Sequence, residues 1–252
     1  MHEYSQNFII LCGRCCKKEK QDSNMNITPI AYFHSAFPTK FGIPRQSGIV
    51  EELRGTIVFE PQYRNPDALR GLEGFDYLWL LWGFSENVRE GAEWSPTVRP
   101  PLLGGNVAMG VFATRSPFRP NGIGLSSVKI LSIEKTTDNG VVINVAGADL
   151  MHGTPIYDVK PYVTYSDAHP DARSGFVDKK EWCSLQVIFP EDFASFFSPC
   201  DYEALLKVLA LDPRPQYQNI PERVYGMPFA GCDVRFIVSQ EGVLTVVDVV
   251  PL

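Results

Sequence analysis

Two arginines four residues apart, Arg115 and Arg119, sit in the stretch ATRSPFRPNGIGLS, Ala113 to Ser126. Proline fixes φ and glycine opens backbone shapes closed to other residues, so this segment reads as a shaped turn and not as a helix or a slack linker. Guanidinium forks match carboxylates and phosphates, so the expected ligand is an anion or an anionic macromolecule. The plain alternative is a pair of surface salt bridges. A second cluster, FGIPRQSG from Phe41 to Gly48, offers Arg45 and Gln46, with simple loop solvation as its alternative. In a third, GADLMHGTPIYDVKPYVTYSD from Gly147 to Asp167, the residues Asp158, Lys160 and Tyr162 alternate along an extended stretch and so share one strand face. A carboxylate, an ammonium and a phenol in one row make a candidate active-site wall; the alternative is a surface ion pair on a strand.

Absent motifs narrow the chemistry. There is no Walker A loop, no strand followed by G-x-G-x-x-G and no G-x-S-x-G elbow, which argues against a P-loop nucleotidase, a Rossmann cofactor site and a serine hydrolase. The four histidines lie far apart, and Cys12, Cys15 and Cys16 form a C-x-x-C-C run with no second ligand pair, so no metal site is expected. Cys183, Cys200 and Cys232 read as small core residues of a protein from a reducing cytoplasm. The net charge of −6 over 252 residues argues against a simple basic nucleic-acid binder. That charge is uneven: residues 25–165 carry 12 Lys and Arg against 13 Asp and Glu, whereas residues 166–252 carry 7 against 13. The apolar run Phe8 to Cys12 is too short for a membrane span, and residues 1–24 read as an extension with little structural role.

The elements that must position these clusters are mostly strands. IVEELRGTIVFE, FDYLWLLWGFS, NVAMGVFAT, GLSSVKILSIEK, GVVINVAGADL and TPIYDVKPYVTY are short, rich in β-branched and aromatic residues, and bounded by turn formers. TTDNGVV predicts a hairpin turn between two of them, and PDALRGLEG predicts one short helix. This pattern points to a β-barrel or a sandwich. After Tyr165 the polar SDAHPDARSG reads as a linker or exposed loop. A strand at CSLQVIFP, a helix capped by Ser198 or Asp201 and ended by Pro213, and a hairpin turning at Ser239 to Gly242 predict a small α+β unit.

Six segments in order, PRQSG, RGLEGFDYLWLLWGF, PTVRPPLLGGN, MGVFATRSPFRPNGIGLS, DLMHGTPIYDVKPY and LDPRPQY, resemble the TsaA/TrmO family of tRNA methyltransferases, from about Asn26 to about Val250. The resemblance implies a mainly β chain: a small TsaA-like β-barrel catalytic domain over residues 25–166, then a small α+β C-terminal domain over residues 167–252 that helps hold tRNA. It implies S-adenosylmethionine as cofactor, tRNA as substrate, a cytoplasmic homodimer without membrane attachment, and methylation of the N6 nitrogen of threonylcarbamoyladenosine beside the anticodon. A non-catalytic S-adenosylmethionine-binding regulator on the same barrel is the alternative. Carried over by position, the cofactor site takes Arg45, Gln46, Ser47, Ser85, Glu86, Asn87, Arg115, Leu125, Ala146, Gly147, Ala148 and Asp149. Asp158, Lys160 and Tyr162 line the reacting side, and Arg119 and Asn121 meet the substrate. Ser47 and Gly122 stand where prolines are common in the family, and His152 where an acidic or amide residue is common.

Overall fold

The computed structural model describes residues 26–85, 94–179, 183–214, 220 and 223–252. Eight strands come first: β1 (Ala31–Ser35), β2 (Arg54–Phe59), β3 (Tyr77–Gly83), the two-residue β4 (Thr97–Val98) and β5 (Met109–Gly110), β6 (Ile123–Thr136), β7 (Gly140–Ala146) and β8 (Thr154–Pro161). Six of them close into a barrel in the order β1-β2-β7-β6-β3-β8, and every pair is antiparallel. Closure follows from alternation: Phe33, Ile57, Leu78, Leu80, Val128, Ile143, Val145 and Ile156 all point inward and are essentially fully buried. The expected turn between β6 and β7 forms, with Gly140 at φ 66° facing Thr136.

Two local expectations are corrected. PDALRGLEG does not form one helix but two 3-10 turns, Pro66–Leu69 and Leu72–Gly74, separated by Gly71 at φ 89°. NVAMGVFAT keeps only the two residues of β5 as strand before a 3-10 turn at Val111–Ala113. Among the described residues β4 is its only ladder partner, so β4 and β5 form a two-stranded sheet separate from the barrel.

Short helices α1 (Thr164–Asp167) and α2 (Glu191–Ala194) flank β9 (Gln186–Ile188). Helix α3 (Pro199–Ala210) is capped by the Ser198 hydroxyl, which accepts from the Asp201 N–H at 3.1 Å, and it ends before Asp212, at φ 56°, not at Pro213. Strands β10 (Tyr225–Phe229), β11 (Cys232–Val238) and β12 (Val243–Pro251) complete a sheet in the order β10-β11-β12-β9, with β9 parallel to β12. Of the three described cysteines only Cys232 belongs to the core; Cys183 is exposed and Cys200 half-buried. Among the described residues no helix is long and apolar enough to cross a membrane.

The second core is not made by these later elements alone. Phe37, Val50 and Leu53, from the segment between β1 and β2, are buried in it beside Leu205, Leu209, Phe229 and Phe236. Lys207 of α3 pairs with Glu52 of the same segment. Residues 36–53 thus run from the barrel into the second core and back.

Candidate functional site

That same segment returns past the barrel rim, where it forms one wall of a cavity of about 500 Å³. Arg45 and Gln46 come from it, Trp82 to Ser85 from the end of β3, Thr114, Arg115 and Arg119 from the loop before β6, Ile123 to Leu125 from the start of β6, and Asp149 to Met151 from the segment after β7. The loops are tied together by backbone. Gly48 N–H donates to the Gly147 carbonyl at 2.8 Å, and Gly147 N–H to the Leu53 carbonyl at 2.9 Å. Gly147 at φ 74° and Gly48 at φ 79° occupy left-handed backbone, and the position of a Cβ on Gly147 would lie 3.5 Å from Gly48 Cα.

Two lining side chains, Trp82 and Asp149, are joined through the buried Ser126 behind them. Trp82 Nε1–H donates to Ser126 Oγ at 3.0 Å, and Ser126 Oγ–H donates to Asp149 Oδ1 at 2.6 Å. The Trp82 ring lies across Gly124, where a Cβ would meet it at 2.3 Å, and packs edge-on against Phe84 with centroids 4.4 Å apart. Burial pushes the Asp149 carboxyl above the usual carboxylate range. The Ser126 hydroxyl, the Asp149 and Ser47 backbone N–H groups and the Arg115 charge pull it back without cancelling the rise. An acid held this way, beside two aromatic rings, can receive a cationic or hydroxyl-bearing ligand.

The two arginines differ in role. Arg115 Nη1 donates to Gln46 Oε1 across the cavity mouth, joining two of the sequence clusters. Arg119 turns back on its own loop, donating to the Thr114 carbonyl at 2.9 Å and the Ser116 carbonyl at 3.4 Å. Neither makes a salt bridge among the described residues.

Of the positions carried over by resemblance, Arg45, Gln46, Ser85, Arg115, Arg119, Leu125 and Asp149 line the cavity. Ser47, Ala146, Gly147 and Ala148 do not. Ser47 Oγ accepts from Ser127 N–H at 3.2 Å, and Ala146 and Ala148 are buried behind the wall. Asn121 also lies outside the lining; its carbonyl accepts from Ile123 N–H at 2.7 Å and shapes the turn into β6. Glu86 and Asn87 lie outside the described residues.

Asp158, Lys160 and Tyr162 share a face, as the alternation predicts, but it is the outer one. A register shift between Leu81 and Trp82 of β3 sets Ile156 opposite Trp82 and Asp158 opposite Leu81. Ile156 and Val159 then pack into the barrel core, while Asp158 and Lys160 turn outward and pair at 2.7 Å, both exposed. Tyr162 packs on Tyr77 and Trp79, 6.2 and 5.7 Å away. None of the three lines the cavity. His152 does not line it either: its ring lies 4.8 Å from that of His34, whose own pKa is lowered by burial and then by His152.

Sequence reasoning passes over Trp82, Ser126, Phe84 and Thr114. The available signal was the small-residue run GIGLSS facing the aromatic end of DYLWLLW, which pairs Trp82 with Gly124 once β3 and β6 are aligned.

A family model described as the tRNA-methyltransferase O N-terminal domain matches residues 32–168, and one described as the TrmO C-terminal domain matches residues 183–252. The tRNA (adenine(37)-N6)-methyltransferase of Escherichia coli is 36% identical, over 87% of this chain and 96% of its own length. A protein of Pseudomonas aeruginosa, provisionally named an S-adenosylmethionine-dependent methyltransferase, is 37% identical over 89% of this chain and 97% of its own. A crystal structure of TrmO from Pseudomonas aeruginosa superposes with a TM-score of 0.72 at 33% identity, covering 89% of this chain and 97% of that one. With the barrel, the rim cavity and both domain models in register along it, the chain belongs to the tRNA-methyltransferase O family.

Proposed function

We propose that this protein is an S-adenosylmethionine-dependent tRNA methyltransferase that methylates the N6 nitrogen of the adenosine beside the anticodon, in its threonylcarbamoyl form. The single observation that carries the reading is the rim cavity, in which Arg45, Gln46, Arg115 and Asp149 meet Trp82 and Phe84 in a chain homologous to named tRNA methyltransferases along most of its length. The cavity fits the cofactor by chemistry as well as size. Its volume lies in the range of small-molecule sites, its aromatic rings suit a purine, and a half-buried carboxylate suits a ligand that carries positive charge. When bound, S-adenosylmethionine supplies an electrophilic methyl group on a sulfonium sulfur.

The chain's own part is mostly positioning. Arg115 and Gln46 close the mouth, and Ser126 ties Trp82 to Asp149. Fixed alignment of this kind contributes up to roughly 7–11 kcal/mol when the geometry is right. The substrate nitrogen keeps a proton in its ground state, so transfer also requires that proton to leave. Residues 25–166 form the catalytic unit of this proposal and residues 167–252 the unit that supports it and helps hold tRNA, in a cytoplasmic homodimer. Asp158, with Lys160 and Tyr162 beside it on the outer face of β8, is its candidate contact for the tRNA outside the cavity.

The test is transfer of labelled methyl to tRNA carrying threonylcarbamoyladenosine, beside tRNA lacking it. Label is expected only in the modified tRNA. Arg115→Ala is expected to weaken cofactor binding, whereas Asp158→Ala, which removes a carboxylate outside the cavity, is expected to leave cofactor binding and kcat intact and to raise the KM for tRNA. Cofactor binding without label in either tRNA removes the enzyme reading. An unchanged KM for tRNA in Asp158→Ala removes Asp158 from substrate contact.

A further inference from the structure

Beside the rim cavity lies a broad groove of about 1750 Å³, which shares Arg45, Gln46, Thr114, Arg115 and Arg119 with it. Its walls are the 3-10 turn after β5, the loop before β6, the segment around β4 and, across from them, Arg173 to Val177. Two features of its lining carry information. First, five arginines line it (Arg45, Arg99, Arg115, Arg119 and Arg173), and no Asp or Glu is among its described lining residues. In a chain of net charge −6 that is a strong local inversion. Second, it presents large aromatic rings to solvent. Phe112 is 70% exposed, Phe118 58% and Trp94 50%, with Trp94 and Phe112 centroids 6.1 Å apart. Rings left this open at a surface usually have a partner.

The combination selects the partner. Positive charge without rings suits any polyanion, and rings without charge suit an apolar protein face. Arginines interleaved with exposed rings suit single-stranded nucleic acid, whose phosphates follow the cations while its unstacked bases lie on the rings. We infer that this groove receives the single-stranded RNA loop around the target adenosine, with Phe112, Phe118 and Trp94 as stacking platforms for flanking bases and Arg99 and Arg173 on the backbone phosphates. The inference rests on the methyltransferase reading for the identity of the RNA. It adds where that RNA lies and how the target base is presented: once its neighbours stack on protein rings and no longer on each other, the target base is free to turn into the adjoining cavity. The shared arginines, Arg115 and Arg119, stand at the junction. A second copy of this chain is the competing occupant. Charge disfavours it, since a two-fold contact of the groove with itself would bring arginines together, and no Asp or Glu is among its described lining residues.

The experiment is titration of the full chain with a synthetic RNA stem–loop carrying a fluorescent purine analogue beside the loop adenosine. Stacking quenches the probe on binding to the unaltered chain. Phe112→Ala and Phe118→Ala are each expected to raise Kd on the order of tenfold and to reduce the quench. Phe112→Leu, which keeps apolar volume but removes the ring face, is expected to behave like Phe112→Ala. Melting temperature and S-adenosylmethionine affinity stay unchanged, because neither phenylalanine lines the cavity. Arg99→Ala is expected to flatten the slope of log affinity against log salt by about 0.7. Unaltered RNA affinity in both alanine variants overturns the inference. A shift from dimer to monomer in sedimentation of those variants overturns it too, by assigning the groove to a second copy. Failure of the underlying reading looks different: the stem–loop binds and quenches in a ring-dependent way, yet modified tRNA takes no methyl.

Discussion

Asp149 is the cavity's half-buried carboxylate, and its environment sets a pH signature for ligand binding. Burial raises its pKa above the ordinary 3.8, and the hydrogen bonds and the nearby Arg115 only moderate that rise. For stability the sign is unfavourable to the ionised form: a cost is present above the raised folded pKa and disappears as pH falls below the ordinary value. For binding the sign reverses, because a cationic ligand needs the carboxylate charged. Affinity for S-adenosylmethionine is therefore expected to fall as pH drops through the raised pKa, in a window opening above 3.8. Asp149→Asn is expected to weaken binding by about 10- to 100-fold, the range for a hydrogen bond to a charged group, and to flatten that pH dependence. Calorimetric titration across pH checks both; an unaltered pH profile in the variant removes Asp149 from ligand contact. Arg45, Gln46 and Arg115 were legible in the sequence because shaped, proline-bounded loops advertise their polar residues. Ser126 and Trp82 were not. Each looks like an ordinary strand residue, and their hydrogen bond arises only where β3 and β6 meet.

At the scale of the element, the cavity depends on what β6 leaves out. Gly124 pairs with Trp82, and the indole occupies the space that a side chain at 124 would take. Gly124→Ala sets a Cβ 2.3 Å from the ring, so the indole must swing away and its bond to Ser126 is lost. Overpacking of this kind costs about 1–3 kcal/mol. The variant is expected to melt lower and to bind S-adenosylmethionine more weakly, because a lining side chain has moved. A lower melting temperature with unaltered affinity would mean that the Trp82 position does not matter to the site. The strands were legible through alternation and turn residues, and α3 through its serine cap and apolar face. The register shift in β8 was not. Alternation correctly places Asp158, Lys160 and Tyr162 on one face, but inside or outside is decided by the partner strand, where one extra residue resets which face looks inward. Tyr157 is that extra residue, and its hydroxyl lies over Gly83, so the irregularity sits at the rim of the cavity.

At the scale of the molecule, the segment 36–53 connects the second core to the cavity. The sequence reads as a barrel unit followed by an α+β unit, and the change of composition after Tyr165 marks the passage between them. What composition does not reveal is that Phe37, Val50 and Leu53, early in the chain, serve the later core. Between these three anchors lie Arg45 and Gln46, and Met227 of β10 packs against Gly42 of the same segment. The arginine wall is therefore held from both sides by residues that belong to the C-terminal sheet and helix. Phe229 tests this coupling. It is fully buried, its ring meets Phe37 edge-on with centroids 5.1 Å apart, and it does not line the cavity. Phe229→Ala is expected to cost about 3–5 kcal/mol of stability. It is also expected to raise the Kd for S-adenosylmethionine, because the cavity left beneath Phe37 loosens the segment that presents Arg45 and Gln46. The comparison that isolates coupling from general loss of stability is Val246→Ala, in β12 of the same core, since Val246 contributes to that core without a ring contact to Phe37. Measured well below both melting transitions, Phe229→Ala should weaken cofactor binding and Val246→Ala should not. Equal affinities in the two variants would mean that the C-terminal core stabilises the chain without shaping its site.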